Sequence, residues 1–183
     1  MKKAVVFFAN GMEECEALLI VDLLRRGSVE VVTAAVGGSR DIVSSHQIPI
    51  RADALAEDVA YSAADMVILP GGMPGTKNLE ASSTVQQAVL DFANGGKKVA
   101  AICAAPSILG HLGLLRGKTA TSYVGMRDQL DGATVLDQEV VVDGNITTSF
   151  GLGGAIPFAL ELVRQLSGDQ VAGRVRQDIE YLH

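Results

Sequence analysis

The sequence predicts an α/β fold in three layers, with a mostly parallel β-sheet and helices on both faces. Apolar runs that are short enough for buried strands alternate along the 183 residues with segments of helical periodicity. Hydrophobic residues make up 48% of the chain and charged residues only 20%, a composition typical of a globular protein with a sizeable core. No internal repeat, linker or low-complexity tract interrupts the chain. We therefore expect a single domain over residues 1–183.

The N-terminal half begins with a strand over Lys3 to Ala9, which is apolar almost throughout, as expected of a strand buried on both faces. The Asn10-Gly11 turn leads into a helix from about Glu13 to Arg26, which Gly27 ends. The elements predicted next are a strand over Val29 to Val36, a small hairpin or edge excursion over Asp41 to Ile50, a short helix over Ala52 to Ala60, a strand over Met66 to Leu69 and a helix over Ser83 to Ala93.

The C-terminal half begins with an apolar strand that ends at Ile102. A helix follows it to about Leu115, and Pro106 fits the first turn of that helix because its missing N–H has no partner there. The remaining elements are predicted as a strand over Thr119 to Ser122, a hairpin over Val140 to Thr148 around an Asp-Gly turn, and two helices over Ala155 to Leu166 and Gln170 to Tyr181.

Cys103 lies where this strand passes into the helix, with the small residues Ala104 and Ala105 after it. This is the arrangement of a nucleophile elbow, a sharp turn that exposes the reactive side chain above the sheet. The free N–H groups and dipole of the new helix favour thiolate over thiol. A free cysteine is also among the most buried residue types, so the stretch alone is equally compatible with a packing role.

Three loops follow strands and are expected to meet at one edge of the sheet, since sites in such folds lie beyond the carboxyl ends of the strands. The loop Asn10 to Glu16 brings carboxylates, Gly71 to Gly75 brings backbone N–H groups, and Cys103 to Pro106 brings a thiol. The sequence therefore predicts a site built from these three loops.

Four motifs follow one another along the chain: Ala9-x-Gly11-x-Glu13-Glu14-x-Glu16, Asp22 with Arg25-Arg26, Leu69-Pro70-Gly71-Gly72, and Ala100-Ala101-Ile102-Cys103-Ala104-Ala105-Pro106. By these residues the sequence resembles the ThiJ/PfpI superfamily, in the branch of the Parkinson's-disease-associated protein deglycase and its bacterial homologues. The resemblance implies a flavodoxin-like three-layer sandwich, formed by one ThiJ/PfpI-like (class I glutamine amidotransferase-like) domain.

The resemblance also implies the roles of the site residues. Cys103 corresponds to the reactive cysteine, and Glu16 to a protonated acid that hydrogen-bonds its sulfur. Gly72 and Ala104 correspond to the backbone N–H donors, with Gly71 beside them. A carboxyl held close to a thiolate is pushed toward its neutral form by the like charge, which agrees with the role of Glu16.

The residues alone favour a different interpretation of the acidic cluster. Without the resemblance, Glu16 would be a solvated carboxylate in the first turn of a helix, where the helix dipole favours it. We retain that interpretation for Glu13 and Glu14.

The chain departs from the family pattern in two places. Many relatives have a histidine directly after the cysteine or on the following strand, and here Ala104 and Tyr123 take those positions. No Cys-His dyad is therefore expected, which argues against protease or amidotransferase chemistry. Tyr123 is expected either to donate a hydrogen bond in the pocket or to pack there. The segment Ser149 to Gly154 replaces the usual Arg-Gly-Pro-Gly and is expected to change a pocket wall and substrate preference.

The other candidate residues are expected to have structural roles. His46, His111 and His183 are expected at the surface, and Cys15 in the core or at an interface. These residues are scattered without ligand spacing, so no metal site is predicted. The segments Gly117 to Thr119 and Gly151 to Gly154 lack the complete glycine patterns of nucleotide-binding loops, so no cofactor is predicted.

Net charge, the length of the apolar runs and the number of cysteines limit the classes of partner and the compartment that we expect. A net charge of −6 makes nucleic acid an unexpected partner, and no apolar run is long enough to span a membrane. Two cysteines without a disulfide framework fit a reducing, cytoplasmic location. The resemblance adds the expectation of a homodimer with the Glu16 helix near the contact.

The function that the resemblance implies is a cofactor-independent glyoxalase or deglycase that acts on methylglyoxal, glyoxal or their early adducts with protein side chains. Cys103 is expected to be the nucleophile and Glu16 the acid/base. The alternative is an oxidative-stress-responsive redox sensor or chaperone that uses oxidation of an exposed, low-pKa Cys103.

Overall fold

The computed structural model describes residues 1–182. In chain order its strands and helices are β1 (Lys3–Phe8), α1 (Glu14–Arg26), β2 (Glu30–Ala35), β3 (Asp41–Val43), β4 (Pro49–Arg51), β5 (Ala54–Leu55), β6 (Met66–Leu69), α2 (Gly75–Glu80), α3 (Ser83–Asn94), β7 (Lys98–Ile102), α4 (Pro106–His111), β8 (Thr119–Ala120), β9 (Thr134–Val135), β10 (Val140–Asp143), β11 (Ile146–Ser149), α5 (Ala155–Ser167) and α6 (Asp169–Asp178). Short 3₁₀ turns lie between them, the longest at Val124–Gln129.

The main sheet has seven strands in the order β10-β11-β7-β6-β1-β2-β5. All neighbours in it are parallel except β10 and β11, which form an antiparallel hairpin at one edge. The central strands β1, β6 and β7 are buried, apart from the partly exposed first residues of β1 and β7. The predicted α/β class and the mostly parallel sheet are confirmed.

Two apolar cores lie on opposite faces of the sheet because successive strand residues point to opposite sides. In β1, Val6 and Phe8 pack into the core that α1, α5 and α6 cover, while Val5 and Phe7 pack into the core that α3 and α4 cover. This is the three-layer arrangement that the sequence predicted. None of the described helices is long and apolar enough to cross a membrane.

The predicted helix over Ala52 to Ala60 is wrong. Ala54–Leu55 is instead a short strand paired with β2, followed by a 3₁₀ turn at Ala56–Asp58. The cause is a set of three hydrogen bonds between Asp53 and Thr33: the Thr33 N–H and hydroxyl donate to the carboxylate, and the Asp53 N–H donates to the Thr33 hydroxyl. These contacts hold the segment extended against the sheet.

One further helix ends earlier than predicted, and another was not predicted at all. The helix after Cys103 ends at His111 rather than near Leu115, because Gly113 turns the chain with a φ of 73°. Helix α2 was not predicted, since its Pro-Gly start has the composition of a loop. Both predicted hairpins are present, as β3–β4 and as β10–β11.

Candidate active site

The three loops that the sequence singled out do meet beyond the carboxyl ends of β1, β6 and β7. The Gly71 N–H donates to the Glu16 carboxyl (N···Oε2 3.0 Å), and the Glu13 N–H donates to the Gly71 carbonyl oxygen at 2.9 Å. The Cys103 side chain hydrogen-bonds the same Glu16 carboxyl. A thiol, a carboxyl and a glycine loop, which follow three different strands, thus form one cluster.

The backbone of Cys103 has the geometry of a nucleophile elbow. Its φ is 64°, in the left-handed region that residues with a side chain adopt infrequently. Two hydrogen bonds hold it there: its N–H donates to the Ser149 carbonyl oxygen at 2.9 Å, and its carbonyl oxygen accepts from the Tyr123 N–H at 2.8 Å. Because the surrounding strands fix this backbone, the half-buried thiol has a defined direction.

The two glycines of the second loop leave room for the site. A Cβ atom added to Gly71 would lie 2.5 Å from the Cys103 Cβ and 2.8 Å from the Glu16 Oε2, closer than any real contact. Gly72 has a φ of 90°, and a Cβ there would lie 2.2 Å from the Glu13 nitrogen. The absence of side chains lets the Gly72 N–H approach and hydrogen-bond the Cys103 sulfur, as the Ala104 N–H also does.

Glu16 is buried, with 1% of its surface exposed, so its interpretation as a solvated carboxylate is wrong. Burial raises the pKa of this carboxyl to about 7, although hydrogen bonds from Cys103 and from the Gly71 N–H act to lower it. Glu13 lies beside it, caps α1 by accepting from the Glu16 N–H at 2.6 Å, and raises the pKa further through its charge. The carboxyl therefore exchanges a proton near neutral pH.

The expectation of an exposed thiol with a low pKa is corrected. Burial, followed by the charge of Glu16 and the hydrogen bond to it, raises the pKa of Cys103 to about 12, and the Gly72 and Ala104 N–H groups oppose this only in part. A charge on either group disfavours a charge on the other. The pair therefore carries at most one negative charge near neutral pH, and the thiol loses its proton readily only when Glu16 takes it.

A fourth segment, which the resemblance led us to expect as a changed pocket wall, contributes to the site. A Cβ added to Gly151 would lie 3.7 Å from the Cys103 sulfur and 3.9 Å from the Glu16 Oε1. The Ser149 carbonyl oxygen that accepts from Cys103 belongs to the same segment. Residues 149–154 thus form one wall of the site, as the departure of this segment from the family pattern led us to expect. Tyr123 lies on another side with 52% of its surface exposed.

Glu14 does not have the solvated position expected from the sequence. It is 5% exposed and pairs with the imidazole of His46 at 2.7 Å and with the Ser45 hydroxyl at 3.1 Å. Burial alone would raise the pKa of Glu14, but hydrogen bonds from its own backbone N–H and the surrounding side chains lower it to about 2. The β3–β4 hairpin is thereby attached to the start of α1.

The remaining predicted roles have mixed outcomes. His46 and His111 are exposed, as expected, and His111 pairs with Glu80. Both imidazoles are therefore engaged with carboxylates other than Glu16, and His183 lies outside the described residues. Cys15 is exposed, so it does not pack in the core of this chain, and its alternative position at an interface stays a prediction.

Metal-ligating atoms come together at one place among the described residues. Ligand atoms of Glu13, Glu14 and His46 lie within 4.8 Å of one another. All three already have partners, since Glu13 accepts from the Glu16 N–H and Glu14 pairs with His46. A cation there would have to displace these contacts, so the set does not indicate a metal centre.

The chain is similar to known proteins over most of its length. A family model described as DJ-1/PfpI matches residues 2–165. Protein dj-1beta of Drosophila melanogaster is 37% identical over 180 residues, which cover 97% of this chain and 96% of that protein. Deglycase PfpI of Pyrococcus furiosus is 32% identical over 166 residues, covering 90% and 99%. The structure of oxidized Toxoplasma gondii DJ-1 is 34% identical, with a TM-score of 0.96 over 100% of both chains.

Proposed function

The chain belongs to the DJ-1/PfpI family, and from this premise we propose that it is a cofactor-independent enzyme that converts methylglyoxal and related dicarbonyls, or their early adducts with proteins, to hydroxy acids. The observation that carries the proposal is the buried hydrogen bond between Glu16 and Cys103, in which a carboxyl with a pKa of about 7 adjoins a nucleophile. Such a carboxyl serves as acid and as base at neutral pH. The relative named as a deglycase supports the same class of chemistry.

The reaction begins when the Cys103 sulfur adds to the aldehyde carbon of methylglyoxal. The thiol proton passes through Glu16 to the former carbonyl oxygen, which gives a hemithioacetal. The Gly72 and Ala104 N–H groups, which hydrogen-bond the sulfur in the free protein, stabilise the negative charge that develops on that oxygen.

Glu16 then moves a proton between neighbouring carbons. As a carboxylate it removes the proton from the carbon attached to sulfur, which gives an enediolate, and returns that proton to the adjacent carbon. The hydroxyl proton passes to the neighbouring oxygen at the same time, so the hemithioacetal becomes the thioester of lactate. Water hydrolyses the thioester, releases lactate and restores the thiol. The net change is the addition of one water molecule, so neither an oxidant nor a reductant is consumed. On a hemiaminal adduct with a protein amine, the Cys103 sulfur forms the C–S bond as the C–N bond breaks, Glu16 protonates the leaving amine, and the same hemithioacetal results.

Lactate formation from methylglyoxal, without glutathione or added metal, tests the proposal. We expect turnover by the wild type and a loss of at least about 100-fold in Glu16→Gln, since that variant cannot carry the proton. Absence of lactate with the wild-type thiol shown to be reduced would overturn the proposal for this substrate.

Oxidative sensing is a second candidate function, favoured by one observation: a protein with the same fold and 34% identity is described in an oxidized form. In this reading peroxide oxidises the Cys103 thiolate to a sulfenic acid and is itself reduced to water. The partial burial of the thiol and its raised pKa both work against this reaction. Graded peroxide followed by peptide mass analysis separates the two functions, because Glu16→Gln should leave oxidation of Cys103 measurable while abolishing turnover.

We also propose that the protein is a homodimer in a reducing, cytoplasmic compartment. Helix α1 and the β3–β4 hairpin, which the Glu14–His46 contact joins, both expose apolar side chains, with Leu18, Val43 and Ile48 each more than 40% exposed. Apolar side chains grouped on one face are typical of a self-association surface. Leu18→Asp should shift sedimentation from dimer to monomer, whereas a wild type that sediments as a monomer would contradict this part of the proposal.

A further inference from the structure

We propose that Thr148 is a positioning residue for Cys103. Its buried hydroxyl holds the segment 121–123, and that segment in turn holds the Cys103 backbone in the conformation that directs the sulfur toward the Glu16 carboxyl. The inference rests on the proposed function, because it names a further residue on which the proposed attack of the thiol depends. It is carried by a series of hydrogen bonds that begins on β11 and ends at Cys103.

The segment 121–123 lies between β8 and the following 3₁₀ turn and belongs to neither. One end of it is attached to β11, where the Thr121 N–H donates to the Thr148 hydroxyl oxygen at 3.0 Å. The other end is attached to the elbow, where the Tyr123 N–H donates to the Cys103 carbonyl oxygen at 2.8 Å. The contact at Thr121 therefore determines where the Tyr123 N–H lies relative to the elbow.

Burial makes the Thr148 hydroxyl difficult to replace as an acceptor. Thr121 and Thr148 are 0% and 1% exposed, so bulk water does not reach the hydrogen bond between them. An N–H group that is buried without an acceptor costs free energy. The Thr121 hydroxyl is also buried and has no hydrogen-bond partner among the described residues, so the backbone N–H is the group that ties Thr121 to β11.

Both hydrogen bonds on the Cys103 backbone thus lead back to β11. The Cys103 N–H donates directly to the Ser149 carbonyl oxygen, and the Cys103 carbonyl oxygen depends on Thr148 through the segment 121–123. A φ of 64° is unfavourable for a residue with a side chain, so it persists only where surrounding contacts impose it. Loss of the Thr148 hydroxyl would release one of these contacts and let the sulfur turn away from Glu16.

Substitutions on β11 separate this role from general packing. Thr148→Val removes the acceptor but keeps a β-branched shape that suits a strand, and Thr148→Ser keeps the acceptor. Thr147→Val is the matched control, since Thr147 is 1% exposed on the same strand and its hydroxyl accepts from the Gln165 side chain at 2.9 Å. Successive strand residues face opposite sides of the sheet, so this control loses a buried hydrogen bond on the α5 side and leaves the segment 121–123 in place.

Steady-state formation of lactate from methylglyoxal gives the first readout. Thr148→Val should lower kcat by about ten-fold and change KM by less than about two-fold, because a misdirected sulfur slows the reaction of bound substrate more than it weakens binding. Thr148→Ser and Thr147→Val should both retain kcat within about two-fold of the wild type. An undiminished kcat in Thr148→Val, an equal loss in Thr147→Val, or a failure of Thr148→Ser to retain activity would overturn the inference.

Alkylation of Cys103 by iodoacetamide at pH 8 gives a second readout, which does not depend on the proposed function. In the wild type the thiol is half-buried, and burial followed by the charge of Glu16 raises its pKa to about 12, so it should react slowly. A sulfur that has turned away loses part of both effects, so its pKa falls toward the ordinary value and more of it is thiolate. Thr148→Val should therefore react about ten-fold faster than the wild type, with peptide mass analysis separating Cys103 from Cys15.

The control variant distinguishes a displaced thiol from a less stable protein. Both valine variants lose one buried hydrogen bond, so a general loss of stability would raise their alkylation rates alike. Equal rates in Thr148→Val and Thr147→Val, or no increase over the wild type in Thr148→Val, would overturn the inference. Absence of turnover by the wild type would instead remove the proposed function, and the alkylation rates would still decide whether Thr148 positions the thiol.

Discussion

The buried carboxyl of Glu16 hydrogen-bonds the thiol of Cys103, and its charge raises the pKa of that thiol. Neither group is activated alone. The carboxyl releases its proton near pH 7 because it is buried, and the thiol depends on the carboxyl to accept a proton. Both the chemistry and the stability of the protein should therefore depend on pH through this pair.

Activity should rise with pH to a plateau set by Glu16. The carboxylate removes the carbon-bound proton, so kcat/KM for methylglyoxal should increase by about ten-fold per pH unit below the pKa of about 7 and level off above it. Because the charge of Glu13 raises that pKa, Glu13→Gln should shift the midpoint to lower pH. A profile that is flat between pH 5.5 and 8 would argue against Glu16 as the base.

The Glu16 carboxyl should lower the free energy of unfolding above neutral pH. Its pKa is about 7 in the folded protein against 4.5 in the unfolded chain, so the folded state binds the extra proton between these values and stability falls as pH rises through them. At pH 8 the penalty is complete, and Glu16→Gln should increase the free energy of unfolding by ~2–3 kcal/mol. Urea denaturation should show this gain disappearing near pH 4.5. A variant that is less stable than the wild type at pH 8 would contradict the raised pKa.

Gly71→Ala should disrupt the site directly. The added methyl would overlap the Cys103 Cβ and the Glu16 carboxyl, so we expect a loss of ~1–3 kcal/mol in stability and of most activity. Gly173→Ala is the matched control, because it lies within α6 with open space around its Cα and should stabilise the protein by ~0.5–1 kcal/mol. Thermal unfolding and turnover of the two variants give the comparison. Similar behaviour of both would mean that Gly71 is not closely packed.

The ionised Glu14 carboxylate should stabilise the protein, and this stabilisation should be lost in acid. Its pKa is about 2 in the folded protein and 4.5 in the unfolded chain, so its contribution is complete above pH 4.5 and is lost as pH falls through 2. Glu14→Gln should therefore unfold at lower urea concentration at pH 7, with the difference shrinking in acid. Asp22→Asn removes an exposed partner of Arg26 and should have almost no effect. A pH-independent difference for Glu14→Gln would exclude the ionised carboxylate as its cause.

The local sequence pattern was sufficient to predict those short segments whose structure depends on their own residues. The strand Met66–Leu69 was predicted to the residue from an apolar run before Pro70-Gly71, and the positive φ of Cys103 agrees with the elbow predicted from its small neighbours. Convergence of the three loops followed from strand polarity alone.

Contacts between distant parts of the chain account for the errors. The extended segment at Ala54–Leu55 depends on hydrogen bonds between Asp53 and Thr33, and the burial of Glu14 depends on the hairpin that carries His46. The pKa of Glu16 depends on burial beneath Gly71. Such contacts produce no local periodicity in the sequence. The resemblance to a family was therefore needed to assign Glu16 a role other than that of a solvated carboxylate.

The most direct test compares lactate production from methylglyoxal by Cys103→Ser and Cys15→Ser. Both variants lose one thiol, but only the Cys103 thiol hydrogen-bonds the Glu16 carboxyl and the Gly72 and Ala104 N–H groups, while Cys15 is exposed on α1. We predict that Cys15→Ser retains wild-type kcat/KM and that Cys103→Ser loses at least about 1,000-fold, since a hydroxyl replaces the nucleophile. Wild-type turnover by Cys103→Ser would contradict the central claim that this thiol attacks the substrate.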